Sequence, residues 1–281
     1  MNTKDCRKDN GNCSQYDEGG IPVQCIHDWS REKHDRVAKY IEASAGPRRW
    51  WLDPSRGGGG AAYIDLFAGP GRARVQEGGE FVDGSPLIAL KHTKSPFTKL
   101  IFCELDEENV SALSRRIVGD KRAVVVPGDC NETIEKVAAL VPPSGLNLAL
   151  IDPFRVSHLK FATVERLGHF KYMDLLIHFP SSHMKRQIGK ELFDHIDAFF
   201  ASDDWRSKLP KMEDVPRLLI AAFRRRLALL GYSSEDVHSE PVRGSSGNVL
   251  YYMVYLSKDK KGDQIWNALT KTTAAGQRRI F

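Results

Sequence analysis

Four carboxylates and one glycine turn carry most of the chemical information in this sequence. Asp65 opens the run Asp65-Leu66-Phe67-Ala68-Gly69-Pro70-Gly71. Glu104 follows Lys-Leu-Ile-Phe-Cys, Asp129 follows Val-Val-Val-Pro-Gly, and Asp152 follows Asn-Leu-Ala-Leu-Ile. Each acid stands where a run of strand character ends. Ligands of open parallel sheets lie across the carboxyl ends of the strands, so acids there can accept hydrogen bonds from a ligand's hydroxyls and amines. Gly69 and Gly71 reach backbone angles closed to other residues and let a ligand approach the main chain. A dinucleotide turn needs Gly or Ala three residues after the second glycine, where this chain has Arg74. The Gly-Lys-Ser/Thr ending of a phosphate-gripping loop is also missing. An ordinary turn after a buried strand, with acids capping helices, accounts for each feature singly. Four acids at the same end of consecutive strands are much harder to obtain that way.

The elements that must position these residues alternate regularly. The pattern predicts strands at 62–66, 99–103, 123–126, 147–151 and 173–179, with helices between them. After the first strand comes the glycine turn and a loop of about a dozen residues over 72–84. Ser85 is expected to cap the next helix, with Pro86 at its first position. Val110, Leu113 and Ile117 line one face of the next helix; Ile134, Val137, Ala138 and Val141 line another. Such alternation implies right-handed crossovers and helices on both faces of a mostly parallel sheet. The ending differs: a helix over 215–230 stops at Gly231, and strands at 236–242 and 249–256 form an antiparallel hairpin. The expected fold is therefore α/β and Rossmann-like, a seven-stranded sheet whose last two strands are a hairpin. Ahead of it, a helix from Ser30 to about Ala45 is closed by Gly46-Pro47, and Gly57 to Gly60 form a flexible joint. Residues 1–26 are expected to be an irregular arm, 27–281 one domain, and 181–214 an inserted helical segment suited to substrate recognition.

Composition narrows the function classes. At 281 residues with 41% hydrophobic and 27% charged content, the chain suits one large core. No run of about eighteen apolar residues is present to span a membrane, and the N-terminus lacks an apolar signal core, so the cytoplasm is the expected compartment. The net charge of +5 is concentrated in 205–226 and in the C-terminal lysines and arginines. That clustering suits a nucleic-acid partner, or equally a solvated helix face. Of five cysteines, Cys6, Cys13 and Cys25 lie near His27 and His34, yet no tight Cys-x-x-Cys pair is present, and no metal is expected. Cys103 and Cys130 read as small core hydrophobes.

The Asp-x-Phe-x-Gly-x-Gly turn resembles the first motif of class I S-adenosylmethionine (SAM)-dependent methyltransferases. More narrowly, the chain is similar to the three-Cys-motif partner (TcmP) family. The residues that carry this are Lys33-His34, Tyr63 to Gly71, Gly84-Ser85-Pro86-Leu87-Ile88-Ala89-Leu90 and Glu104-Leu105-Asp106. Gly128-Asp129-Cys130-Asn131-Glu132, Ile151-Asp152-Pro153-Phe154 and Asp174 to Pro180 continue it, so that it spans roughly 27–206. The resemblance implies SAM as cofactor. Asp65 and the turn Gly69, Pro70 and Gly71 would line its amino-acid half, Glu104 would accept from both ribose hydroxyls, and Phe67, Ala68, Ser85 and Asn131 are further cofactor-binding candidates. Asp129 would accept from the adenine amino group, with Leu105 and Cys130 packed against the ring. It also implies a genetically associated partner protein, whose cysteines give the family its name.

Asp152-Pro153-Phe154 resembles a shortened form of the Asp/Asn-Pro-Pro-Tyr/Phe motif of amino-directed nucleic-acid methyltransferases. There the acid or amide orients the target amine and the aromatic stacks on the extruded base. The second proline is missing here, and Phe154 as core filler with Asp152 as a helix cap is the competing reading. Lys33 and His34 sit on the helix before the core, where they could close over the cleft or, on the plainer reading, are a solvated lysine beside a capped histidine, and His178 is given no catalytic duty. The leading expectation is methyl transfer to an amine of a nucleic acid or nucleobase-like substrate. The alternatives are a non-catalytic SAM-fold module that binds nucleic acid or a partner protein, and a small-molecule or peptide methyltransferase.

Overall fold

The computed structural model describes residues 12–56, 58–209, 215–232, 238–244 and 247–270. In chain order, β1 (Asn12–Tyr16) and β2 (Pro22–Ile26) precede the helices α1 (Trp29–Ala43) and α2 (Ala45–Trp51). Next come β3 (Ala62–Asp65), β4 (Arg72–Val75), β5 (Phe81–Asp83) and α3 (Ser85–Lys91). The alternating part continues with β6 (Lys99–Glu104), α4 (Glu107–Arg116), β7 (Ala123–Pro127), α5 (Cys130–Leu140), β8 (Asn147–Ile151), α6 (Phe161–Gly168) and β9 (Met173–Phe179). The chain ends with α7 (Ser181–Ile188), α8 (Asp194–Phe200), α9 (Val215–Ala228), β10 (His238–Arg243), β11 (Val249–Leu256) and α10 (Lys260–Thr270).

Seven strands form the main sheet in the order β10-β11-β9-β8-β3-β6-β7. β9, β8, β3, β6 and β7 pair in parallel, whereas β11 is antiparallel to both β9 and β10. The expected α/β sheet with its terminal hairpin is thus present. Central strands β3 and β8 are buried along their whole length, as strands covered on both faces must be. Alternate residues feed two separate cores: Ala62 and Ile64 pack with α5 to α9, Ala61 and Tyr63 with α1, α3 and α10. Asp106 caps α4 by accepting from Asn109 N, and Asp129 caps α5 by accepting from Asn131 N.

Several expectations need correction. Within the supposed irregular arm, 12–16 and 22–26 are strands; residues 1–11, with Cys6, lie outside the described residues. The 72–84 loop is the β4–β5 hairpin, and β4 pairs in parallel with β2 to complete a second sheet, β1-β2-β4-β5. The helix beginning at 29 does stop before Gly46-Pro47, but both residues start α2 instead of a coil, because proline suits a helix's first turn. The cap of α3 is Gly84, one residue before Ser85. The region 157–168 divides into a short 3-10 turn, Val156–His158, and α6. The joint at 57–60 is not loose where it is described: a Cβ on Gly58 would lie 2.3 Å from Trp51 O, and one on Gly59 2.3 Å from Ser144 O.

Candidate active site

The carboxyl ends of β9, β8, β3, β6 and β7 lie side by side, so the residues after them form one row. At about 4.8 Å per strand, the row from β8 to β7 is about 14 Å long, the scale of a nucleoside. At its centre, Leu66 N donates to Leu150 O (3.1 Å), Ala68 N to Cys103 O (3.0 Å) and Gly69 N to Glu104 Oε2 (2.7 Å). Gly69 and Gly71 have φ of 62° and 85°, and a Cβ at Gly71 would meet Leu113 Cδ1 at 2.8 Å. The turn is therefore closed to side-chain-bearing residues at these two positions. Arg116 braces it from behind, donating to Pro70 O (2.6 Å) and Pro22 O (2.8 Å) and pairing with Asp17 at 2.5 Å. That buried ion pair couples the small N-terminal sheet to the glycine turn, a role the sequence reading did not foresee.

Glu104 joins two strand ends, accepting from Asp106 N (2.9 Å) as well as from Gly69 N. Burial raises its pKa, against the lowering effect of those amide hydrogen bonds. The Asn109 side chain donates to it as well, so of the about four acceptor positions of a carboxylate about one remains for a ligand hydroxyl. The neighbouring Leu105 is 69% exposed, an uncovered apolar surface at the row. Asp129 spends Oδ1 on its helix cap and on Asn131 Nδ2 (2.8 Å). Asn131 also donates to His158 O and accepts from Lys160 N and Thr163 Oγ1, so it pins the 158–163 loop. Cys130 is buried.

Asp65 lies beneath the row, fully buried, receiving hydrogen bonds from Tyr63 Oη (3.5 Å), Phe67 N (3.2 Å) and Ser85. Burial pushes its carboxyl up to about 7. Asp65 and Ser85 thus support the turn from below. Phe67 is half-buried, while Ala68 and Pro70 are buried.

On the other side of the turn, Asp152 forms an ion pair with Lys33 of α1 and a 2.8 Å hydrogen bond with His178 Nδ1 at the end of β9. Burial alone would raise its pKa; the Lys33 ammonium and the His178 contact outweigh that and hold it well below the usual carboxylate range. His178 lies against the Tyr251 ring at 4.1 Å. Next to Lys33, burial pushes the His34 imidazole down to about 4, so it is neutral near pH 7. Pro153 is buried, but Phe154 is 56% exposed, with the Arg155 guanidinium 5.9 Å from its ring centroid. Phe154 is therefore not core filler, and Asp152 caps no helix. The sequence named Lys33 and His178 without joining them to Asp152. Their positions on the preceding helix and at the next strand end were the only available signal.

Three arginines of the basic stretch 205–226 have partners within the protein. Arg206 pairs with Asp197, Arg226 stacks over Phe161 at 4.8 Å, and Arg224 bonds Ser239 Oγ at 3.2 Å. Lys211 lies outside the described residues. Among the described residues, no group of three or more His, Cys, Asp and Glu side chains could hold a metal, and no helix is long and apolar enough to cross a membrane. Cys13 and Cys25 pack with Val23 inside the small sheet.

No family model matches the chain, and no curated protein is similar to it in sequence. Its fold is similar to that of several solved structures. One is protein LPL1258 from Legionella pneumophila, 13% identical over 87% of this chain and 94% of that one, with a TM-score of 0.48. Another is M. jannaschii TYW2 in complex with AdoMet, 8% identical over 88% and 84%, with a TM-score of 0.42. A third is Trm1 from Pyrococcus horikoshii with S-adenosyl-L-methionine, 11% identical over 83% and 57%, also at 0.42. At these scores the assignment of fold rests on the strand order and pairing given above.

Proposed function

We propose that this chain is a SAM-dependent methyltransferase that methylates an amine of a nucleic acid or nucleobase-like substrate. The observation that carries the reading is an ionised Asp152 beside an exposed Phe154, one strand from the glycine turn and two from Glu104. The residues at the row suit the cofactor. Glu104 keeps about one acceptor position for a ribose hydroxyl, Leu105 offers an apolar face to adenine, and the turn from Gly69 to Gly71 lies where the amino-acid half would sit. Asp65 and Ser85 act from beneath, and Asn131 by fixing the neighbouring loop. When bound, SAM supplies an electrophilic methyl group on its sulfonium.

Asp152 accepts a hydrogen bond from the incoming amine and turns its lone pair toward the methyl carbon. With its pKa held so low it is a poor proton acceptor, so its work is orientation, not general-base catalysis. The proton released after methyl transfer passes to solvent. Lys33 and His178 fix the carboxylate's direction, each on a different oxygen, leaving further acceptor positions for the substrate. Phe154 supplies a face on which a base can stack.

Calorimetry on the full chain with SAM and S-adenosylhomocysteine tests the first step. Saturable binding is expected, weakened about 100-fold in Glu104→Ala by loss of charge-assisted hydrogen bonds. Absence of binding to both ligands removes the reading altogether. With single-stranded nucleic acid as acceptor, Asp152→Ala should keep SAM binding and lose methylation; full activity in that variant would sink the role of this acid.

A further inference from the structure

The opposite edge of the main sheet holds a cavity of about 550 Å³, far from the strand-end row. Gly58 precedes β3, Leu146 precedes β8, Lys171 and Tyr172 precede β9, and Ser257, Asp259, Lys261 and Gly262 follow the reversed strand β11. All of these line it at the amino ends of the parallel strands. Asp174, on its floor, and His178, at the proposed active site, are four residues apart on β9, about 13 Å. Ligands of such sheets bind at the carboxyl edge, so the fold's usual site does not account for this cavity. Its volume falls within the roughly 300–1,000 Å³ of small-ligand sites.

Trp50, Trp51 and Tyr172 stand around it, with Tyr40 on its floor. Trp50 is 58% exposed, and Trp51 meets Tyr172 edge-on at 5.4 Å. Cations accompany them: Arg56 lies 3.8 Å over the Trp50 ring, Lys171 lies 4.9 Å over Tyr172, and Lys261 lines the same space. The floor is polar. Asp174 accepts from Tyr40 Oη at 2.6 Å and is also bonded by the Tyr255 and Ser257 hydroxyls. An anionic ligand bearing a flat heterocycle suits this lining: rings for stacking, the Asp174 and Asp259 carboxyls and the hydroxyls for donors on the heterocycle's edge, and Lys171, Lys261 and Arg56, which also pairs with Asp53 at 3.2 Å, for a phosphate.

We infer that this cavity is a nucleotide-binding site, separate from the proposed methyl-transfer site, that stacks a base on Trp50, Trp51 or Tyr172 and holds its phosphate with Lys171, Lys261 and Arg56. The nucleotide is either free or one unit of a single strand; the chemistry is shared.

The test titrates the full chain with AMP and with a short single-stranded oligoadenylate, following quenching of tryptophan fluorescence. Saturable quenching is expected from at least one probe. Trp50→Ala and Lys171→Glu change exposed side chains, so folding should survive, and each should weaken binding about tenfold. Glu104→Ala, at the other edge, should leave it unchanged. Equal affinity for both probes identifies a free-nucleotide site; much tighter, steeply salt-dependent oligonucleotide binding identifies a strand site. The inference is overturned by no saturable quenching with either probe, by binding indifferent to both cavity variants, or by binding lost in Glu104→Ala. None of these readouts depends on SAM binding or methyl transfer, so they stand apart from the proposed activity.

Discussion

Asp152 and Asp174 mark opposite edges of one sheet, both are bonded to α1, and their protonation is driven in opposite directions. Lys33 reaches Asp152 and Tyr40 reaches Asp174. Seven residues separate the two contacts, about 10.5 Å along the helix, so α1 lies as a strap from one edge toward the other. At the carboxyl edge a charged donor outweighs burial, and Asp152 stays ionised. At the amino edge the donors are hydroxyls; burial dominates and pushes the Asp174 carboxyl up to about 6. An acid's role in this fold is thus set by the charge of its donors more than by its depth. Asp65 shows the same rule within the carboxyl edge: deep, partnered by neutral donors and raised to about 7.

The largest expected effect tests that contrast through pH. Asp65 and Asp174 keep their protons longer in the folded chain than in the unfolded one. Their contribution to stability is full below about pH 4 and is lost as pH rises through about 6 and 7. Asp65→Asn and Asp174→Asn remain neutral throughout. Between pH 4 and 8 each should gain stability relative to wild type, by about 4 and about 3 kcal/mol respectively. Denaturant titrations at several pH values measure this, and variant curves parallel to wild type would break the contrast. Asp152 carries the opposite sign, with stability present above its unfolded pKa and lost on acidification.

A somewhat smaller effect is expected from Lys33→Met, which keeps the apolar stem but leaves the Asp152 carboxylate with His178 alone. Breaking a largely buried pair on one side should cost about 2–3 kcal/mol at pH 7, the partial exposure of both side chains keeping the figure at the low end. The Asp152 carboxyl resonance should titrate at a higher pH than in wild type. An unchanged stability and an unchanged titration would show that α1 is not strapped at this end.

The main sheet was legible in the sequence because its strands are local, apolar and buried on both faces; β8 and β9 fall where the pattern placed them. The glycine turn and the strand-end acids were legible for a related reason, since topology alone brings the carboxyl ends of parallel strands together. The small sheet was not. β1, β4 and β5 are three to five residues long and partly polar, and their pairing depends on β2 meeting β4 across nearly fifty residues. α10 begins Lys-Lys-Gly and gives little helical signal; a 4.8 Å stack of Trp266 on Tyr255 holds it against the core. The Lys33–Asp152 pair spans 119 positions, and nothing local to either residue announces the other.

The smallest effect on stability, and the sharpest on function, is expected at Phe154. Its side chain is more than half exposed at the end of β8, so Phe154→Ala should change stability by no more than about 0.5 kcal/mol. In the proposed reaction this exposed ring, beside an acid held ionised, stacks on the acceptor base. Removing a base-stacking ring costs about 1–3 kcal/mol per base, so kcat/KM for a nucleic-acid acceptor should fall about tenfold or more while SAM affinity is kept. Phe154→Tyr, which preserves the ring, should recover most of it. Loss of stability in Phe154→Ala would instead show that the ring packs against the protein, and the two edges would then differ in their acids but not in having an exposed surface for a base.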